Sequence, residues 1–246
     1  MRQFGAVDIA LIVENLPEKG RFYMKHFIGI VVSVLLILTG CNEDGGKYMK
    51  QQSGDLIQAV ENNDLEKVQG ILQDTSYPIN ETNDKEETPL LIATHENYIE
   101  VAKLLIEAGA DINQQDSIQD SAYLYAGAQG KTEILKYMIE HAEPNQNIVN
   151  RYGGNALIPA AEKGHLDNVK LLLVDGKVNI DHQNKFGYTA LIEAVALRDG
   201  SEVYQQIVQE LLAYNAEKEL RDESGKTALD YAKEKGYTKM IKMLEE

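Results

Sequence analysis

From residue 55 onward one apolar pattern keeps returning along the chain. Leu56, Leu90, Tyr123, Leu157, Leu191 and Leu229 stand 34, 33, 34, 34 and 38 residues apart. Alanine follows each three positions later, at Ala59, Ala93, Ala126, Ala160, Ala194 and Ala232. Apolar residues three apart share one face of a helix, so each copy opens with a short helix. Four residues beyond the alanine comes Asn63, Asn97, Gly130, Gly164 or Gly236, residue types that tolerate the left-handed backbone ending a helix. A second stripe follows, Val101, Leu104 and Leu105 in one copy and Val169, Leu172 and Leu173 in another, and predicts a second helix. Thr88 suits the cap of a first helix, and Pro89 suits its first helical position, where a missing N–H is unneeded. One helix pair cannot bury these stripes. Six stacked pairs can, which predicts an all-α solenoid held together by contacts between neighbours.

The best-formed copy, Glu87 to Asn113, reads "ETPLLIATHENYIEVAKLLIEAGADIN" and closely resembles the ankyrin repeat, with its T-P-L-H-x-A opening and GADIN close. "GNALIPAAEKGHLDNVKLLL", "YTALIEAVAL" and "KTALDYAKEKGYTKMIKML" resemble it as well. The resemblance spans residues 55–246 in about six repeats and implies stacked helix-turn-helix units with hairpin tips. The first and last copies, from about Asp55 and Gly225, lack parts of the pattern and carry charge, as capping repeats do. The departures are specific. The histidine of the opening motif is replaced throughout, by Ile57, Leu91, Leu124, Ile158, Ile192 and Asp230, which predicts looser coupling between hairpins. Tyr123 stands where leucine normally packs, and Pro159 falls about four residues into its helix, late for a proline. Repeat five is about four residues longer than its neighbours, with the excess expected in Arg198 to Gln206 as a longer turn between its helices. Arg198 occupies the place of the usual Gly or Asn, so that turn should be built differently.

Ahead of the repeats, Phe27 to Leu38 forms the apolar run "FIGIVVSVLLIL", twelve residues against the roughly 20 that a spanning helix needs. Lys25 precedes it, and small residues lead to Cys41, an arrangement that reads as an export signal. Leu38, Thr39, Gly40 and Cys41 resemble the lipobox of bacterial lipoprotein precursors. That resemblance implies cleavage before Cys41, a diacylglyceryl group on its thiol, and a protein anchored by lipid to the cell membrane, facing outside the cytoplasm. Two or more acyl chains give stable attachment where one gives only marginal binding. Cys41 is the single cysteine, so no internal disulfide can form. Residues 1–23 carry Asp8, Glu14 and Glu18, which do not suit a signal, and translation is expected to start at Met24. The chain then divides into an upstream segment 1–23, a signal 24–40, a polar tether 41–54 and a repeat domain 55–246.

Charge and motifs narrow the function. With 24 Lys and Arg against 39 acids, and a net charge of −15, a nucleic-acid partner is disfavoured. The sequence has no HExxH spacing, no Gly-rich phosphate loop and no GxSxG elbow; "RYGGN" reads as a hairpin tip, and His165 as structural. No catalytic residue, cofactor or metal is therefore assigned, and a monomer is expected. Two classes remain. One is a membrane-tethered protein-protein interaction module, of which an immunity-type protein that neutralises a toxin is a specific form. The other is an exported enzyme or enzyme accessory whose site lies outside these motifs. For the first class the candidate partner surface is a row of hairpin tips. Ile118, Tyr152 and Phe186 stand three residues before Ser121, Asn155 and Thr189, with Tyr188 close by. Apolar side chains there either fold back on adjacent tips or anchor a partner.

Overall fold

The computed structural model describes residues 52–246. The upstream segment, the signal, Cys41 and most of the tether lie outside the described residues. Within them the helices come in pairs: α1 (Asp55–Glu61) with α2 (Leu65–Leu72), α3 (Pro89–His95) with α4 (Ile99–Glu107), α5 (Ala122–Ala128) with α6 (Thr132–His141), α7 (Leu157–Glu162) with α8 (Leu166–Asp175), α9 (Ala190–Ala196) with α10 (Glu202–Ala213), and α11 (Ala228–Lys235) with α12 (Thr238–Glu245). First helices stack on first helices and second on second, giving two parallel rows with one continuous core between them. The repeating Leu or Tyr and Ala are its centre: Leu56, Leu90, Leu157 and Leu191 are almost fully buried, and so is each of the repeated alanines. The second stripe is buried too, at Val101, Leu105, Val169 and Leu172.

Five of the six first helices start on a buried cap. Thr88, Ser121, Asn155, Thr189 and Thr227 accept from the backbone N–H three residues on, at 3.1 to 3.3 Å. The first repeat has no such residue, because Gly54 occupies the position. Glu81 takes over, accepting from the N–H of Gly54 at 2.7 Å and of Ile57 at 3.2 Å. Pro159 is better placed than the spacing predicts. Helix α7 begins at Leu157, so the proline lies in the first turn, where backbone N–H groups have no helical partner.

The longer repeat divides its excess. The left-handed residue of the turn moves to Gly200 (φ 72°), two places later than in its neighbours, and α10 runs twelve residues where α8 has ten. The ring of Tyr237 lies against Gly200, 2.8 Å from where a Cβ would stand, and its hydroxyl donates to the Arg198 carbonyl at 2.5 Å. Tyr123 fits the leucine site at 3% exposure because Gln146 donates to its hydroxyl at 3.2 Å. His165 packs over Gly130 of the preceding repeat. Asn168, wholly buried, donates to the carbonyls of Ala126 and Gly127 at the end of α5 and ties the fourth repeat to the third.

Candidate functional site

The hairpin tips are built on one turn, used five times. Asn83, Asp116, Asn150, Asn184 and Asp222 each stand five residues before the cap of a first helix. Each side-chain oxygen accepts from the N–H two and four residues on, at 2.8 to 3.0 Å. A residue with positive φ follows at Glu86, Gln119, Gly153, Gly187 and Gly225. The Asx side chain thus replaces the partners that a tight loop denies its own backbone. The apolar pattern carries no trace of this; the fixed spacing of Asn and Asp does.

Three of the four neighbouring tip pairs are joined through the main chain, and the Asp116 and Asn150 tips are joined by the Arg151–Asp120 side-chain bond. Ser117 N–H donates to the Lys85 carbonyl, Lys185 to Tyr152 and Glu223 to Phe186, at 2.9 to 3.1 Å. Gln115 and Gln183 each bridge their own tip and the next strand of backbone, and His182 bonds the Gly153 carbonyl. These bonds link the hairpins where the missing histidine would have done so. Aliphatic side chains at Ile57, Leu91, Leu124, Ile158 and Ile192 fill its place in the core.

The residue before the positive-φ position projects from each tip, and in the three central repeats it is Ile118, Tyr152 and Phe186. They are 51%, 52% and 51% exposed. Of the seven large apolar side chains that are exposed among the described residues, these three lie at tips and a fourth, Leu197, lines the adjacent groove. The other three, Leu65, Val174 and Tyr214, lie on or just after the second helices. Phe186 and Tyr188 form a tilted aromatic pair at 6.4 Å, and Tyr188 meets Tyr231 edge-on at 6.3 Å. The Arg151 guanidinium covers the Tyr152 ring at 5.0 Å and reaches Asp120 at 3.3 Å.

Between these tips and the first helices runs a groove of about 520 Å³, walled by Tyr152, Phe186 and Tyr188 on the tip side and by Pro159, Glu162 and Leu197 on the helix side. Ile118 is not among the groove's lining residues. Its floor holds Glu193, the middle residue of α9, only 5% exposed. One carboxyl oxygen accepts from Asn184 Nδ2 at 2.9 Å, and the other, Oε2, has no hydrogen-bond partner. Burial raises its pKa to about 7, the neighbouring Glu162 carboxylate adds to the rise, and Asn184 and Arg198 pull the other way. Glu162 is itself paired with Arg198. A second, smaller cleft lies by His95, where Glu87 approaches Nδ1 at 3.4 Å and burial lowers the imidazole pKa. No cluster of three or more His, Cys, Asp or Glu suited to a metal occurs among the described residues.

The profile of ankyrin repeats in three copies matches residues 32–116, 56–149, 108–184 and 157–246, which overlap to cover the whole stack. The chain belongs to the ankyrin repeat family. Solved ankyrin structures agree. The ankyrin repeat protein EF0377 shares 59% identity, with a TM-score of 0.79 over 80% of this chain and 99% of that one. An ankyrin repeat domain from Acinetobacter baumannii AYE, ABAYE2397, shares 44% identity, with a TM-score of 0.76 over 79% of this chain and 97% of that one. The ankyrin repeat protein YahD of Escherichia coli K12 is 35% identical over 80% of this chain and 96% of its own length. Ankyrin repeat stacks are in general protein-binding modules without chemistry of their own.

Proposed function

We propose that this protein is a lipid-anchored ankyrin repeat lipoprotein, held at the cell membrane outside the cytoplasm, that captures a protein partner on the tip row and groove of its central repeats. The observation that carries the reading is the apolar side-chain exposure at Ile118, Tyr152 and Phe186, on tips whose folding is satisfied by main-chain and Asx hydrogen bonds. Such side chains contribute little to the core, and aromatic anchors are what binding hot spots favour. The lipobox resemblance at Leu38 to Cys41 supports the tether. The test is a crosslinking pull-down on membranes with the wild-type chain, Tyr152→Ala and Phe186→Ala. Both variants should lose capture of the partner while keeping nearly the wild-type melting temperature. If both unfold at markedly lower temperature, or still capture every partner, the tips serve the fold alone.

A further inference from the structure

The floor of the groove is an unusual place for a carboxylate. Glu193 is 95% withdrawn from solvent, yet half of its hydrogen-bonding capacity is unused, because Oε2 has no partner. A buried acceptor without a donor costs stability, and the core gains nothing from a glutamate at this position. The walls above it are aromatic: Tyr152 and Phe186 are each about half exposed, and Tyr188 stands beside them. One of these rings already receives a guanidinium, since Arg151 of the same chain lies over Tyr152. Of the other cations near the floor, Arg151 pairs with Asp120 and Arg198 pairs with Glu162 through its Nη2, while the buried Arg198 Nε has no partner and does not bond Oε2; Lys163 is exposed at the rim.

We propose that this groove is a receptor for a cationic side chain of the protein partner, an arginine or lysine that passes between Tyr152 and Phe186 and ends on the Glu193 carboxylate. The proposal rests on the partner-capture reading above and names what that partner must present. A long unbranched stem suits the depth, because it lies along the aromatic walls while its charged head reaches the floor. A guanidinium or ammonium supplies the donor that Oε2 lacks. The chain's net charge of −15 favours a basic partner by steering its approach.

Binding of this kind moves a proton. The groups facing Glu193 are Glu162 from α7, Asn184 from its own tip and Arg198 beyond α9. On the α11 side, Asp230 is held by Thr227 and Arg221, and Tyr231 by Asp222. Near neutrality Glu193 is poised between its two forms, and a cation on the floor stabilises the ionised one. Affinity should then rise with pH through about 7 as the proton no longer has to be displaced.

The experiment is an NMR titration of the full-length chain, labelled at glutamate and aromatic residues, with Nα-acetyl-arginine methylamide and with its uncharged citrulline counterpart. The arginine probe should shift the Tyr152, Phe186 and Glu193 signals, lower the titration midpoint of Glu193 and bind more tightly as pH rises. The citrulline probe should bind at least about tenfold more weakly, and Glu193→Gln should abolish the difference. Equal binding of the two probes, no response at Glu193, or no binding in the groove would each overturn the proposal. Partner capture separates this failure from the broader one. If Tyr152→Ala and Phe186→Ala lose the partner while Glu193→Gln keeps it at every pH, the groove floor is not the receptor and the tip surface stands. If the tip variants keep the partner, the surface itself is wrong.

Discussion

Gly187 brings its tip so close to the next that an added Cβ would lie 2.8 Å from both Asp222 Cα and Glu223 N, and its φ of 75° would strain any other residue. Backbone cannot yield as a side chain does. Gly187→Ala is therefore expected to cost about 2 to 4 kcal/mol in urea unfolding. Leu172, fully buried between the two rows, should cost about 2 to 5 kcal/mol when cut to alanine; a loss below about 0.5 kcal/mol would mean that its cavity collapses freely. Leu172 was legible in the sequence because burial imposes a period on apolar residues. Glu193 was not, since a charged residue in a short helix reads as a surface residue until its neighbours close over it. Its raised pKa has a definite sign. Well below the ordinary carboxylate range both folded and unfolded states carry the proton and nothing is lost. As pH rises, the unfolded chain ionises first, so stability falls until about pH 7, by up to about 3 kcal/mol. Glu193→Gln should remove that slope, gaining on the wild type in urea melts as pH rises from acid to neutral; parallel profiles would refute it.

At the scale of elements, the tip turns hold more of the design than the helices do. Asn184 anchors the N–H groups of Phe186 and Tyr188 and also donates to Glu193. Asn184→Ala should cost about 2 to 3 kcal/mol, more than Asp116→Ala, which breaks the equivalent turn bonds but touches no buried carboxylate. Equal losses, measured by thermal and urea unfolding, would show that the Glu193 bond contributes nothing. The helices themselves were readable from apolar spacing and turn residues. What spacing cannot show is how four extra residues are shared, because a turn and a helix end are both polar where they meet solvent. Pro159 shows the same limit: its tolerance depends on where the first helical turn starts, which Asn155 and Ala156 decide and periodicity does not.

At the scale of the whole molecule, every repeat borrows its stability from the ones beside it. Helices α1 and α12 each have a neighbour on one side only. Native-state hydrogen exchange should therefore show protection highest in α5 to α9 and lowest at the two ends, and uniform protection along the stack would contradict a neighbour-by-neighbour account. Tethering belongs to this scale too. Cys41→Ser is expected to release the protein from membranes, and unchanged fractionation, together with no lipid on the wild-type N-terminus, would remove the anchor from the proposal. That segment lies outside the described residues, and its reading rests on the residue pattern from Lys25 to Cys41 and on the lipobox resemblance.

Three of the four tip-to-tip links are made by N–H and C=O groups, which every residue but proline carries whatever its side chain. Lys85, Ile118, Tyr152 and Phe186 therefore occupy a row in which side-chain identity is nearly free of structural duty, while Ser224 at the last tip also bonds its Asp222. Shape and recognition are written in separate alphabets, one in main chain and Asx residues, the other in four interchangeable letters. A lineage carrying this scaffold can change what it recognises by rewriting those letters, without learning to fold again.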